Sequence, residues 1–112
     1  MSSIRIKRIA SDIARHTSDI LLNEANDKLL KTITITGCDV SSDLSFCKIY
    51  FTSLSELTKK DIEKEVNEAA SFVRGKISER MDLRHTPEIR FIYDTSIERG
   101  EKIEKIIASL DK

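Results

Sequence analysis

Cationic side chains gather between residues 69 and 91, where a helical pattern runs into a strand. Apolar residues at spacings of three and four define the core face of that helix: Ile62, Val66, Ala69, Val73 and Ile77. The cations fall outside this face: Arg74, Lys76, Arg80, Arg84 and Arg90. Because an unpaired charge is costly to bury, they should form a basic edge suited to phosphate groups. For each of them the alternative is a salt bridge, with Glu79, Asp82 and Glu88 close in sequence.

Three more cations could extend this basic surface. Arg5 and Arg8 belong to a first helix whose opening turns hold many cations and a single acid, Asp12. Lys48 stands between Phe46 and Tyr50 on a strand face predicted to point outward, where the two rings could stack on bases. A solvated helix face would explain the arginines equally well. A second packing surface or cross-strand pairing would explain the rings.

The patterns that support catalysis, metal binding or nucleotide binding are missing from the sequence. His16 and His85 have no nucleophile or metal ligand at a suitable spacing, and both should be surface side chains. Gly37, Gly75 and Gly100 lie too far apart for a phosphate-binding loop. The carboxylates sit in charge-alternating helices, where a general-acid role is not expected. The sequence therefore predicts a non-enzymatic protein without a metal, cofactor or small-molecule substrate.

Composition favours one compact domain over residues 1–112. At 112 residues, with 34% charged side chains and three glycines, the chain fits a single helix-rich core. It has no apolar run of about 18 residues, and Asp12, Arg15 and His16 interrupt what would be the apolar part of a signal peptide. We therefore expect a cytoplasmic monomer without membrane contact. The formal net charge of zero leaves charge distribution to decide about polyanions.

The two cysteines, Cys38 and Cys47, lie in two predicted strands of a hairpin. A turn near Ser41 would place Cys47 opposite Ile35 and away from Cys38. That register, together with a reducing compartment, argues against a disulfide and favours buried free thiols.

The order of the predicted elements indicates an α+β fold. Helical periodicity covers residues 4–28 with an interruption at Arg15 to Ser18, and alternating strands follow from Lys31 and from Ser45. Thr58 or Ser55 can cap the next helix, which either bends or gives way to a second helix at Ala69-Ala70-Ser71. A third strand at 88–94 joins the hairpin, and a last helix carries Ile103, Ile106, Ile107 and Leu110. The helices should cover one face of a three-stranded sheet.

Five segments, in order, resemble the ribosome-binding factor A proteins of bacteria. They are R-x-x-R-I at 5–9, I-T-I-T-G-C-D-V-S-S-D-L at 33–44, C-K-I-Y-F at 47–51, F-V-R at 72–74 and L-R-H-T-P-E-I-R-F-I-Y-D at 83–94. The resemblance runs from about Arg5 to Leu110. It implies a single KH-like domain of the type II topology, in the order α-β-β-α-kink-α-β followed by a C-terminal helix.

The resemblance also implies a function. Such a protein would bind the small (30S) ribosomal subunit and its 16S rRNA during late maturation, assist processing of the 16S rRNA 5′ end and matter at low temperature. KH modules usually clamp RNA with a G-x-x-G loop, which this chain lacks. The family has an Ala-x-Gly kink instead, which maps onto Ala69, Ala70 and Ser71, with serine in place of the glycine.

The competing hypothesis is a protein-interaction module. In that case the sheet face around Phe46 and Tyr50 would dock a protein partner, and the zero net charge would be the informative property. Salt dependence separates the two hypotheses, because phosphate contacts weaken steeply with salt and apolar interfaces do not.

Overall fold

The computed structural model describes residues 3–95. Its elements follow one another as α1 (Ser3–Asn23), a 3-10 turn (Leu30–Thr32), β1 (Ile33–Val40), β2 (Phe46–Ser53), α2 (Lys59–Glu68), α3 (Ala70–Arg80) and β3 (Glu88–Tyr93). The predicted C-terminal helix lies outside the described residues. Apart from that helix, the order agrees with the predicted α+β fold.

The three strands form one sheet in the order β1-β2-β3. β1 and β2 are an antiparallel hairpin, and β3 runs parallel to β2, so the α2–α3 pair makes the crossover. α1 packs against β1 and α3, while α2 and α3 pack against β3. Cys47, Ile49 and Phe51 are buried on the helix side of β2, and Lys48 is exposed on the other side. The strand alternation thus predicted the inward face correctly.

The core joins the predicted helix stripe to that sheet face. Ile62, Val66, Val73 and Ile77 are fully buried beside Ile13 and Ile20 of α1. Phe51 lies at its centre, with ring centroids 6.3 Å from Phe91 and 5.2 Å from Tyr93 in edge-to-face geometry. Ala69 is only half-buried, because it lies at the junction between the two helices.

α1 is shorter than the predicted 4–28 and is continuous through Arg15 to Ser18. It ends at Asn23, and Asp27 then accepts a hydrogen bond from the Leu29 N–H at 2.9 Å. Such a bond from an Asp side chain to a nearby amide competes with helix. The chain therefore forms a separate turn at residues 27–29, where the apolar pattern predicted the last residues of the helix.

Two separate helices meet at the small-residue junction. Thr58 caps α2 by accepting a hydrogen bond from the Asp61 N–H at 3.2 Å. α2 ends at Glu68, Ala69 has φ −90° and ψ −1°, and α3 begins at Ala70. Ala69 therefore turns the chain between two helices whose apolar faces share one core.

The predicted hairpin register is wrong. Cys47 lies opposite Val40, and Ile35 lies opposite Phe51, because the turn is centred on residues 42–45 and not at Ser41. Leu44 provides the left-handed residue of this turn, with φ 61°, and a bulge between Ile35 and Gly37 shifts the register further. The Cys38 and Cys47 sulfurs consequently lie 2.9 Å apart as free thiols.

Candidate nucleic-acid interface

Arg74 links α3 to the segment that leads into β3. Its Nε and Nη2 atoms donate hydrogen bonds to the Thr86 carbonyl oxygen at 3.3 and 3.0 Å. The buried Pro87 fixes the chain directly after this contact. The remaining guanidinium N–H groups of Arg74 have no carboxylate partner among the described residues, so they can still donate to an anion.

An open cleft of about 460 Å³ lies between α3 and the segment that Arg74 holds. Side chains from both walls line it: Ser71, Arg74, Gly75 and Ser78 from α3, and Leu83, Arg84, His85 and Thr86 from the connection to β3. Arg84 and His85 are exposed, and among residues 3–95 no carboxylate lines the cleft. The cleft therefore combines two guanidinium groups with hydroxyl and imidazole groups, which suits an anionic ligand with hydroxyls.

Lys76 and Arg80, also predicted for the basic edge, face α1 instead. Arg80 donates to Asp19 Oδ2 at 2.7 Å and also to Glu24, while Lys76 Nζ lies 3.8 Å from Glu24 Oε1 and 3.9 Å from Glu79 Oε2. The hydrogen bond from Arg80 lowers the pKa of Asp19, and the same bond raises the pKa of Arg80. Arg80 therefore ties α3 to α1 and to Glu24 just after it, and Lys76 lies between Glu24 and Glu79, so both cations have carboxylate partners.

Lys48 and Arg90 lie on the sheet face away from the helices. They are directly opposite each other in the β2–β3 register, and both are exposed. Asp39 lies on the other side of Lys48 and accepts a hydrogen bond from the Tyr50 hydroxyl at 3.3 Å. Burial, followed by the charge of Asp39, raises the pKa of Tyr50. The predicted basic residues therefore do not form one continuous edge.

The remaining candidates, Arg5 and Arg8, are exposed on the first turns of α1. Neither has a carboxylate partner among residues 3–95. The structure thus brings together Arg74 with Arg84 and Lys48 with Arg90, and leaves the N-terminal pair on α1.

Sequence reasoning missed the residues that give the cleft its walls. Ser71, Gly75 and Ser78 recur at spacings of four and three, which places small side chains along one side of α3. This spacing was a readable signal. His85 was predicted as a surface side chain, and it is exposed, but its position on the cleft wall depends on the fold of the α3–β3 connection.

Within residues 3–95, no helix is long and apolar enough to cross a membrane. In the same range, no cluster of three or more histidine, cysteine or acidic side chains could hold a metal ion.

The family profile described as ribosome-binding factor A matches residues 5–107. The chain belongs to the ribosome-binding factor A family. A family protein from Staphylococcus carnosus is 40% identical over 113 residues, covering 100% of this chain and 98% of that protein. One from Acetivibrio thermocellus is 45% identical over 105 residues, covering 92% of this chain and 85% of that protein. The family resemblance read from the five sequence segments is therefore confirmed.

Solved structures of the family share this fold. The crystal structure of ribosome-binding factor A from Thermus thermophilus matches with a TM-score of 0.69 and 16% identity, over 79% of this chain and 94% of that one. A solution structure from Thermotoga maritima matches with a TM-score of 0.64 and 26% identity, over 75% of this chain and 81% of that one. A Thermus thermophilus homology model, fitted into a cryo-EM map of a 30S complex of that protein, matches with a TM-score of 0.66, 16% identity and coverage of 80% and 96%. The predicted KH-like α+β fold agrees with these neighbours.

Proposed function

We propose that this protein binds the small ribosomal subunit and its 16S rRNA during late maturation. It acts in the cytoplasm as a monomer, assists processing of the 16S rRNA 5′ end and supports growth at low temperature. Two findings support the proposal: membership of the ribosome-binding factor A family, and the family neighbour fitted into a 30S complex. The observation that carries it at residue level is the cleft with Arg74 and Arg84, which has no carboxylate among the described residues of its lining.

In this proposal the chemistry is binding without catalysis. Phosphate groups of the rRNA displace their counterions when they meet Arg74 and Arg84, and the released ions make binding favourable and dependent on salt. The forked guanidinium donors also fix the orientation of the phosphate. The protein would hold an immature rRNA conformation and leave when the mature contacts compete for the same segment.

The other exposed cations would act as auxiliary contacts. Lys48 and Arg90 are close neighbours of the same charge and Asp39 lies on the other side of Lys48, so this row carries one net positive charge that an anion could meet. Arg5 and Arg8 would add phosphate contacts from α1. Lys76 and Arg80 are already paired with Asp19 and Glu24, so we assign them to holding α3 in place.

The protein-interaction hypothesis has weaker support from the geometry. The rings of Phe46 and Tyr50 are half-buried, and the charged row of Asp39, Lys48 and Arg90 crosses the sheet between them. A protein-docking patch would be expected to expose a contiguous apolar surface. Within the described part of the chain, the outer sheet face therefore offers no single apolar patch around these rings.

Co-sedimentation with separated ribosomal subunits tests the proposal. The purified protein should pellet with the small subunit and not with the large one, and the bound fraction should fall steeply as salt is raised. Pelleting that is insensitive to salt would favour a protein contact. Absence of pelleting at low salt would refute ribosome binding. Growth of a deletion strain in the cold, with analysis of 16S 5′ ends, tests the maturation role separately.

A further inference from the structure

Gly75 lies in the middle of α3, where glycine weakens a helix. Neither the backbone nor the packing of the described residues requires it there. The described glycines have no positive φ, and a Cβ added at Gly75 would meet nothing within 4 Å. The protein therefore keeps an unfavourable helix residue at a point where an alanine would fit the folded chain.

The open space above Gly75 is the cleft. The small side chains of Ser71 and Ser78 line the α3 wall of the cleft on either side of Gly75, and Arg84 and His85 lie on the opposite wall. Arg74 spans the two walls through its bonds to the Thr86 carbonyl. Because a glycine lets another backbone approach closely, this wall can admit a ligand into direct contact with α3.

We infer that the cleft holds the sugar–phosphate backbone of single-stranded RNA, which passes over Gly75 with a phosphate between Arg74 and Arg84. This inference rests on the proposed function and adds that the part of the RNA bound in the cleft is the backbone of a single strand. Among the described residues, no Phe, Tyr or Trp lines the cleft, so these walls offer no stacking platform and select backbone over base. The Ser71 and Ser78 hydroxyls can pair with ribose 2′-hydroxyls.

The size of the cleft favours a single strand. A volume of about 460 Å³ is that of a small-ligand pocket, and its two walls are a helix and one extended segment. Duplex RNA is bound across broad grooves that span many base pairs. A single strand can lay one phosphate and its sugars in the cleft and leave its bases outside.

Fluorescence anisotropy of the full-length protein with a labelled oligouridine RNA of about 12 nucleotides measures this contact. Gly75→Ala should raise the melting temperature, because alanine is the better helix former, and should weaken RNA binding about tenfold, as for loss of one charge-assisted phosphate bond. Gly75→Leu should weaken it further. Arg84→Gln should lower the salt slope by about one.

Ser18→Ala is the matched control. Ser18 is exposed in α1 and lines a different hollow, so this change also improves helix propensity but leaves the cleft intact. Its RNA affinity should equal that of the wild type. An equal loss of affinity in Ser18→Ala would show that the Gly75 effect is not local to the cleft.

Several results would overturn the inference. The first is a Gly75→Ala protein that binds RNA with wild-type affinity, together with an Arg84→Gln protein whose salt slope is unchanged. These two variants test the inference even if Gly75→Leu does not fold. The inference would also be overturned if the protein bound a blunt RNA duplex of the same length with the same affinity as the single strand. A wild-type protein that pellets with the small subunit but ignores the oligonucleotide would refute this inference alone. Failure to bind either one would refute the proposed function as well.

Discussion

Replacing Asn67 by alanine should destabilise the protein although the side chain is only half-buried. Asn67 projects from α2 to the free edge of β3 and pairs with both backbone groups of one residue there. Its Oδ1 accepts from the Phe91 N–H at 2.8 Å, and its Nδ2 donates to the Phe91 carbonyl at 2.9 Å and to the Glu63 carbonyl at 2.8 Å. The amide therefore takes the place of a neighbouring strand at this edge.

The expected loss follows from the two Phe91 groups left without a partner. Each unsatisfied group costs about 1 to 1.5 kcal/mol when water has partial access, so the pair costs about 2.5 kcal/mol. Alanine returns about 0.5 kcal/mol through its better helix propensity. The net loss of about 2 kcal/mol should lower the Tm by about 8 °C in a domain of this size.

Urea and thermal denaturation of Asn67→Ala measure this loss. Glu65→Ala is the control, because Glu65 is exposed on the same helix and gains the same alanine. Asn67→Asp should be at least as destabilising as Asn67→Ala, because it keeps the acceptor for the Phe91 N–H but places a carboxylate oxygen, which cannot donate, against the Phe91 and Glu63 carbonyl oxygens. A Tm for Asn67→Ala within about 2 °C of the control, which is less than 1 kcal/mol, would refute the assigned role of the amide.

Three further predictions concern other parts of the fold. Thr17→Val should raise the free energy of unfolding by about 1 kcal/mol in urea titration, because the buried Thr17 hydroxyl has no hydrogen-bond partner among residues 3–95; a loss of stability would reveal a partner. The Asp43 carboxyl should titrate by NMR with a pKa of about 2, below the ordinary 3.8, because the Ser45 and Ser41 side chains donate hydrogen bonds to it. Its stabilisation of the turn is then complete above pH 3.8 and is lost as the pH falls through about 2. A measured pKa near 3.8 would contradict this prediction. Glutathione disulfide should convert Cys38 and Cys47 into a disulfide with release of two glutathione molecules. The reaction should be slow, because the hydrogen bond with Cys38 and burial raise the pKa of Cys47. Mass spectrometry that shows only a glutathione adduct would contradict this prediction.

Local patterns predicted the elements and their buried faces because those depend on neighbours in sequence. The alternation at Cys47, Ile49 and Phe51 and the spacing of Ile62, Val66, Val73 and Ile77 each mark one buried face. The hairpin register failed for a physical reason. The turn needs a left-handed residue, and Leu44 fills that position where glycine or asparagine would have marked it. Leu44 also packs against the core, which helps to hold this conformation.

Hydrogen bonds and ion pairs between residues far apart in the chain could not be predicted from the sequence. The alternating acidic and basic residues from Lys59 to Glu65 predict a solvated helix face. In the structure, however, Glu63 accepts a hydrogen bond from the Tyr93 N–H at 2.9 Å. The sequence places Arg80 on the basic edge or in a salt bridge with Glu79, Asp82 or Glu88. Its partners in the structure are instead Asp19 in α1 and Glu24 just after that helix. Only the fold brings these groups together. The two arginines of the cleft were predicted as candidates, but the wall they share depends on where the α3–β3 connection folds back.

Reversing the charges at the cleft tests the central claim most directly. Arg74→Glu/Arg84→Glu should abolish co-sedimentation with the small ribosomal subunit while the protein remains folded, with its thermal transition lowered only by the loss of the Arg74 bonds to the Thr86 carbonyl oxygen. Lys60→Glu/Lys64→Glu is the matched control, because it makes the same change in net charge at two exposed positions of α2 away from the cleft lining, and it should still pellet. A folded Arg74→Glu/Arg84→Glu protein that pellets as well as the wild type would contradict the claim that this cleft binds rRNA.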